Sequence, residues 1–194
     1  FTISLDVIAH ELTHGVTGDE ARLVYLGQAG ALNESVSDVF GSLVKQYARG
    51  ETAEEADWLI GAGLFTANVK GVALRSLKAP GTAYDDPVLG RDPQPAAMSG
   101  YVKTSTDNGG VHSNSAIWNN ALWSIRTQLA KIDNKPAFQS QLARDFDLIV
   151  YYALTHQLGP HSTMLDAANA VKDTAVKAGA AAAIIRVAKE IFDQ

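Results

Sequence analysis

Residues 3–17 read ISLDVIAHELTHGVT and place Leu5, Ile8, Leu12 and Val16 at spacings of three and four, the period of one helical face. Ser4 is positioned to cap this helix, and Gly15 to Gly18 mark its end. The same stretch contains His10-Glu11-Leu12-Thr13-His14, an H-E-x-x-H pattern. Residues four apart on a helix sit one turn above each other, so both imidazoles can reach one zinc ion while Glu11 lies beside it. With 5 His in 194 residues, chance yields this pattern in about half a percent of such chains. The competing reading is a helix that carries polar residues on its solvent face.

A catalytic zinc site usually has three protein ligands and one open position. The candidate third ligand is Glu34, on a second helix opened by Asn33, whose apolar stripe is Val36, Val39, Phe40, Leu43 and Val44. Asp38 follows one turn later on the face of Glu34, where it can accept a hydrogen bond from the free ring nitrogen of a ligating histidine. The same two carboxylates could instead form a solvated acidic face.

Composition narrows the choices. There is no cysteine, so zinc would have to be held by histidine and carboxylate. The net charge of −5 and the lack of a Lys/Arg cluster argue against nucleic acid or an anionic membrane surface as partner. No apolar run approaches the ~18 residues of a membrane span. A length of 194 residues fits one domain. The chain starts at Phe1 with no initiator Met or leader, which reads as a cut end of something longer.

Elsewhere, LVYL at 23–26 suggests a strand and 53–63 a helix, while 79–110, with four of the six prolines, should be largely irregular. Helices are expected at 111–132, 136–157, 161–178 and 180–193, which makes the fold class mainly α. The run Asp107-Asn108-Gly109-Gly110-Val111-His112 is a Gly-rich turn that delivers a histidine with a carboxylate nearby. A positioned imidazolium can hydrogen-bond a developing oxyanion, and the carboxylate would orient it. The plainer alternative is a turn that caps the next helix. His156 and His161 have no such company and read as surface or helix-end residues.

The segments LDVIAHELTHGV, GALNESVSD, ALRS and DNGGVHSNS occur in an order that resembles the C-terminal, mainly helical domain of the thermolysin-like zinc metallopeptidases. The resemblance runs from about Leu5 to the C-terminus and is nearest to the calcium-poor, protealysin-like members. It implies that residues 1–194 are one catalytic domain in which His10, His14 and Glu34 bind zinc and Glu11 is the general base. It further implies Asp38 as the partner of His10, Tyr25 and His112 as stabilisers of the tetrahedral intermediate, and Asp107 as the group that orients His112. Arg75 matches an arginine that binds the substrate carbonyl, and Val7 and Leu74 match apolar walls of the pocket beyond the scissile bond. The implied activity is cleavage of peptides or proteins before large apolar residues, by a secreted enzyme.

Two departures from the family pattern carry expectations. Lys45 stands where a calcium-binding glutamate is expected, with Leu59, Ala62 and Val72 replacing other acidic positions, while Asp6 and Asp57 remain. Calcium needs about six to eight oxygen ligands and an ammonium group repels it, so the double calcium site should be absent, with Lys45 paired to Asp6 or Asp57. The β-rich N-terminal domain that forms the other wall of the family's cleft is also missing, which should leave apolar surface uncovered. The alternative function is therefore an isolated domain that binds zinc, and a peptide or inhibitor, without turnover.

Overall fold

The computed structural model describes residues 2–135 and 139–194. Six helices dominate them: α1 Leu5–Asp19, α2 Gly27–Arg49, α3 Asp107–Asp133, α4 Gln141–His156, α5 Met164–Lys177 and α6 Ala182–Phe192. Between α2 and α3 the chain is mostly irregular, with two antiparallel pairs of very short strands, β1 (Leu59–Ile60) with β2 (Arg75–Ser76) and β3 (Asp85–Asp86) with β4 (Gly90–Arg91). The mainly α expectation holds.

Helix α2 is the centre of the molecule, flanked by α1 on one side and α3 on the other. Its first turns run through Ala29, Gly30, Ala31, Ser35 and Ser37, small residues that let neighbouring backbones come close, and all of them are buried. Gly41 marks the tightest approach to α1, since a Cβ there would lie 2.5 Å from the Asp6 carbonyl oxygen. That close approach sets the His10–His14 helix directly against the Glu34–Asp38 turn of α2. Helices α4 to α6 surround the C-terminal half of α3 and enclose a core of Leu122, Ile125, Leu129, Phe146 and Ile184. Each fully buried large side chain of this kind contributes about 1.5–3 kcal/mol. Stacking of Trp118 on Phe192, with centroids 4.9 Å apart, fastens α6 to α3. Helix α5 is fixed at its start by a capping box, in which Thr163 accepts from the Asp166 N–H and Asp166 accepts from the Thr163 N–H.

Several sequence expectations are corrected. Helix α2 begins at Gly27, ahead of Asn33, after a Leu26 N-cap whose side chain caps nothing, so no capping residue announces it. The LVYL segment is not a strand: Leu26 N–H donates to the Val24 carbonyl at 2.7 Å, closing a γ-turn on Tyr25. No helix forms over 53–63. Thr52 and Glu55 bond each other's backbone N–H to make a single turn, and Trp58 then adopts φ 54° and sends residues 59–60 into β1. The expected start of the fourth helix at 136 lies outside the described residues. The apolar stripe of α1 faces outward, with Ile8 38% and Leu12 72% exposed, while its inner face carries Asp6, Val7, Ala9, His10 and Thr17.

Candidate metal centre and active site

The polar inner face of α1 brings its two histidines onto α2. His10 Nδ1 lies 2.8 Å from Asp38 Oδ1, and His14 Nδ1 lies 2.7 Å from Asn33 Oδ1. The Asn33 amide is oriented by its Nδ2 donating to the Leu23 carbonyl at 3.3 Å and by its Oδ1 accepting from Thr17 Oγ1 at 2.8 Å. Both histidines therefore face an acceptor with Nδ1, which assigns the ring proton to Nδ1 and leaves each Nε2 as a bare lone pair.

Those lone pairs point at one spot. His10 Nε2 and His14 Nε2 are 3.0 Å apart, and the Glu34 oxygens lie 3.5 Å and 3.4 Å from them. Glu34 is 1% exposed, and its buried Oε2 accepts no hydrogen bond. Two imidazole lone pairs and a carboxylate facing each other repel unless a cation lies among them. Their separations match the ~3.3 Å expected between donors placed 2.0–2.1 Å from a common tetrahedral ion, so nitrogen and oxygen donors of this kind fit zinc. Among the described residues, this is the group of three ligand-type side chains that converges, with ligand atoms within 4.8 Å of one another.

Asp38 is fully buried and belongs to a wider network. Arg75, delivered by β2, donates to it through Nε at 2.8 Å and Nη2 at 2.7 Å. Burial alone would raise the Asp38 carboxyl, but Arg75 and His10 outweigh it and hold it far below the ordinary carboxylate range. Burial alone would likewise lower Arg75, and Asp38 reverses that. The solvated acidic face is thus overturned, because both carboxylates of this turn are buried in a donor network.

On the open side of Glu34 stand the remaining polar groups. The Tyr25 hydroxyl donates to Glu34 Oε1 and lies 3.2 Å from His112 Nε2. Burial, then the Glu34 carboxylate, pushes the Tyr25 hydroxyl well above its ordinary range, so it remains a proton donor. His112 Nδ1 is 2.6 Å from Asp107 Oδ1, and the His112 backbone N–H donates to Asp107 Oδ2 at 2.9 Å. This grip depends on a left-handed run, with φ of 51° at Asp107, 48° at Asn108, 83° at Gly109 and 77° at Gly110, before α3 becomes right-handed. Asparagine and glycine tolerate that region, which explains the Asn-Gly-Gly sequence.

Glu11 is exposed on α1 beside these ligands. Val7 is buried with the core and Leu74 is half-buried against it. His156 and His161 are exposed, and His156 stacks on Tyr152 with ring centroids 4.0 Å apart. Sequence reading missed Asn33, Thr17, Ser35 and Asn119; Asn33 alone carried a signal, as the residue beside Glu34. Lys45 Nζ donates to Asp6 Oδ2 at 2.9 Å, to Asp57 Oδ1 at 2.8 Å and to the Leu59 carbonyl at 2.7 Å, so it pairs with both carboxylates rather than one.

Fold and site together define a helical domain of the H-E-x-x-H metallopeptidase type. Residues 21–194 match the family profile described as thermolysin metallopeptidase, alpha-helical domain, and the chain belongs to that family. It is 63% identical over 123 residues to an extracellular metalloprotease of Pectobacterium carotovorum subsp. carotovorum, covering 63% of this chain and 35% of that protein. It is 56% identical over 138 residues to an extracellular minor metalloprotease of Serratia marcescens, covering 71% and 39%. A solved structure titled as the precursor of protealysin, a metalloproteinase from Serratia proteamaculans, superposes with a TM-score of 0.89 at 45% identity, over 100% of this chain and 57% of that one. The chain thus spans between 35% and 57% of the length of these relatives. Among the described residues, no helix is long and apolar enough to cross a membrane.

Proposed function

We propose that the chain is the C-terminal catalytic domain of a zinc metalloendopeptidase, with His10, His14 and Glu34 holding the ion. The observation that carries this reading is the convergence of two bare Nε2 atoms and an unpartnered Glu34 oxygen on one point, with Tyr25 and His112 beside it. Zinc, when bound, lowers the pKa of its water toward neutrality and polarises the scissile carbonyl.

The protein supplies the rest. Glu11 takes a proton from the attacking water at its carboxylate and passes it to the departing amine. Tyr25 donates to the developing oxyanion through its hydroxyl and His112, as an imidazolium, through Nε2, while Asp107 keeps the His112 ring turned toward it. Asp38 fixes His10 and, on its other side, Arg75, whose remaining N–H groups bind a substrate carbonyl. Val7 and Leu74 line the apolar pocket that favours a large apolar residue after the scissile bond.

The same reading extends to partners and place of action. The outward apolar stripe of α1 would pack against an N-terminal β-rich domain that completes the cleft for a peptide or protein substrate. The relatives named extracellular support a secreted parent enzyme. Lys45 takes the position of a cation between Asp6 and Asp57, so the double calcium site is absent.

Hydrolysis of a peptide with an internal Phe or Leu by the zinc-loaded chain tests the activity, with Glu11→Gln alongside. The expected result is turnover by the wild type and none by the variant, at equal zinc content. Turnover by the variant overturns Glu11 as base. A zinc-loaded wild type without turnover points to the non-catalytic, peptide-binding alternative.

A further inference from the structure

We propose that Asn119 is a positioning residue for the zinc ligand His10 and acts through Asp38. This inference rests on the zinc reading above.

Asn119 is 1% exposed and projects from α3 into the contact with α2. Its amide orientation is fixed at one end, because Ser35 Oγ donates to Asn119 Oδ1 at 2.6 Å. The amide nitrogen must then face the other way, and it donates to Asp38 Oδ2 at 2.9 Å. Ser35 directly follows the ligand Glu34, so one side chain on α3 touches the turn that carries both the third ligand and the partner of the first.

The donor count on Asp38 explains why this contact matters. Oδ1 faces His10 Nδ1 at 2.8 Å and Arg75 Nη2 at 2.7 Å, while Oδ2 accepts from Arg75 Nε at 2.8 Å and Asn119 Nδ2 at 2.9 Å. An ionised carboxylate offers about four lone-pair positions; three accept hydrogen bonds here, from Arg75 twice and Asn119 once, and His10 Nδ1 lies against Oδ1 without hydrogen-bond alignment. The rotation of the carboxylate about its own bond is thereby pinned from β2 and α3. Without Asn119, Oδ2 is held by Arg75 alone and the carboxylate turns toward the guanidinium, which tilts the acceptor that sets the His10 ring. A residue that merely ties α3 to α2 would have no effect on the metal. Asn120, next in sequence, serves as that comparison: it donates to the Leu77 and Lys78 carbonyls at 2.9 Å and 3.2 Å, away from Asp38.

The test measures the zinc dissociation constant, by competition with a chromogenic chelator, for wild type, Asn119→Leu and Asn120→Ala, together with the visible spectrum of each cobalt-substituted protein. Partners one step outside the ligands typically change metal affinity by 10–100-fold. Asn119→Leu is expected to weaken zinc at least about tenfold and to shift the cobalt bands, while Asn120→Ala lowers the melting temperature with both metal readouts unchanged. Wild-type affinity and spectrum in folded Asn119→Leu overturn the proposal. If that variant does not fold, Asn119→Ser, which removes less volume, is read in its place, and loss of the fold in both makes Asn119 a structural residue and also overturns it. A wild-type chain that binds no zinc overturns the metal reading instead.

Discussion

His10 and His14 hold their Nε2 atoms 3.0 Å apart with the proton of each ring drawn to its far side, toward Asp38 in one case and Asn33 in the other. Neutral imidazoles in this tautomer repel one another unless a cation accepts both lone pairs. The helix spacing places the rings one above the other, and the acceptors on α2 aim them.

A second cluster of carboxylates is neutralised by a lysine of the chain itself. Lys45 is 2% exposed and serves two carboxylates and a carbonyl. Lys45→Met removes the ammonium and leaves Asp6, which is 1% exposed, as an uncompensated buried charge. The expected loss is about 3–5 kcal/mol in urea unfolding. With zinc held constant, a calcium chelator is expected to leave the wild-type melting temperature in place.

The Asp6 carboxylate also sets a sign for acid. Burial alone would raise it, but the Ser4 hydroxyl, Lys45 and the Gly61 N–H outweigh burial and hold it below its ordinary 3.8. A carboxyl lowered in the folded state contributes stability that is full above the unfolded value and is lost as pH falls through the folded value. Asp147 has the opposite sign, since burial raises its carboxyl despite Arg126. The stability gap between wild type and Lys45→Met is therefore expected to be widest above the ordinary carboxylate range and to narrow on acidification. Melting curves followed down through pH ~4 check it; a gap that grows with acid contradicts it.

Tyr25→Phe keeps the ring and removes the donor. Losing one preorganised oxyanion donor costs about 10²–10³ in kcat, with little change in KM. Steady-state kinetics of both zinc-loaded proteins check it, and a kcat for Tyr25→Phe equal to the wild type contradicts it.

The chemistry of the site was legible in the sequence because helix periodicity alone stacks His10 on His14 and Glu34 on Asp38. Its supports were not. Asn119 and Ser35 meet only after α3 folds onto α2, a contact between residues 84 apart in the chain. The apolar stripe of α1 illustrates the converse: Leu5, Ile8, Leu12 and Val16 follow the period of one helical face, yet the buried side of this helix is occupied by Asp6, His10 and Thr17, which other elements satisfy. Residues 53–63 carried helix-forming composition, and a left-handed Trp58, buried with its Nε1 donating to the Ala53 carbonyl at 2.8 Å, turned them toward β2 instead. That diversion is what carries Arg75 to Asp38.

The most direct test of the account is zinc stoichiometry of the folded chain after metal removal and re-addition, for wild type and for Glu34→Gln. Three ligands from two helices predict one zinc per wild-type chain and markedly weaker binding in the variant, with its helical content retained. A wild-type chain that takes up no zinc, or a Glu34→Gln chain that binds it as tightly as the wild type, would contradict the ligand set.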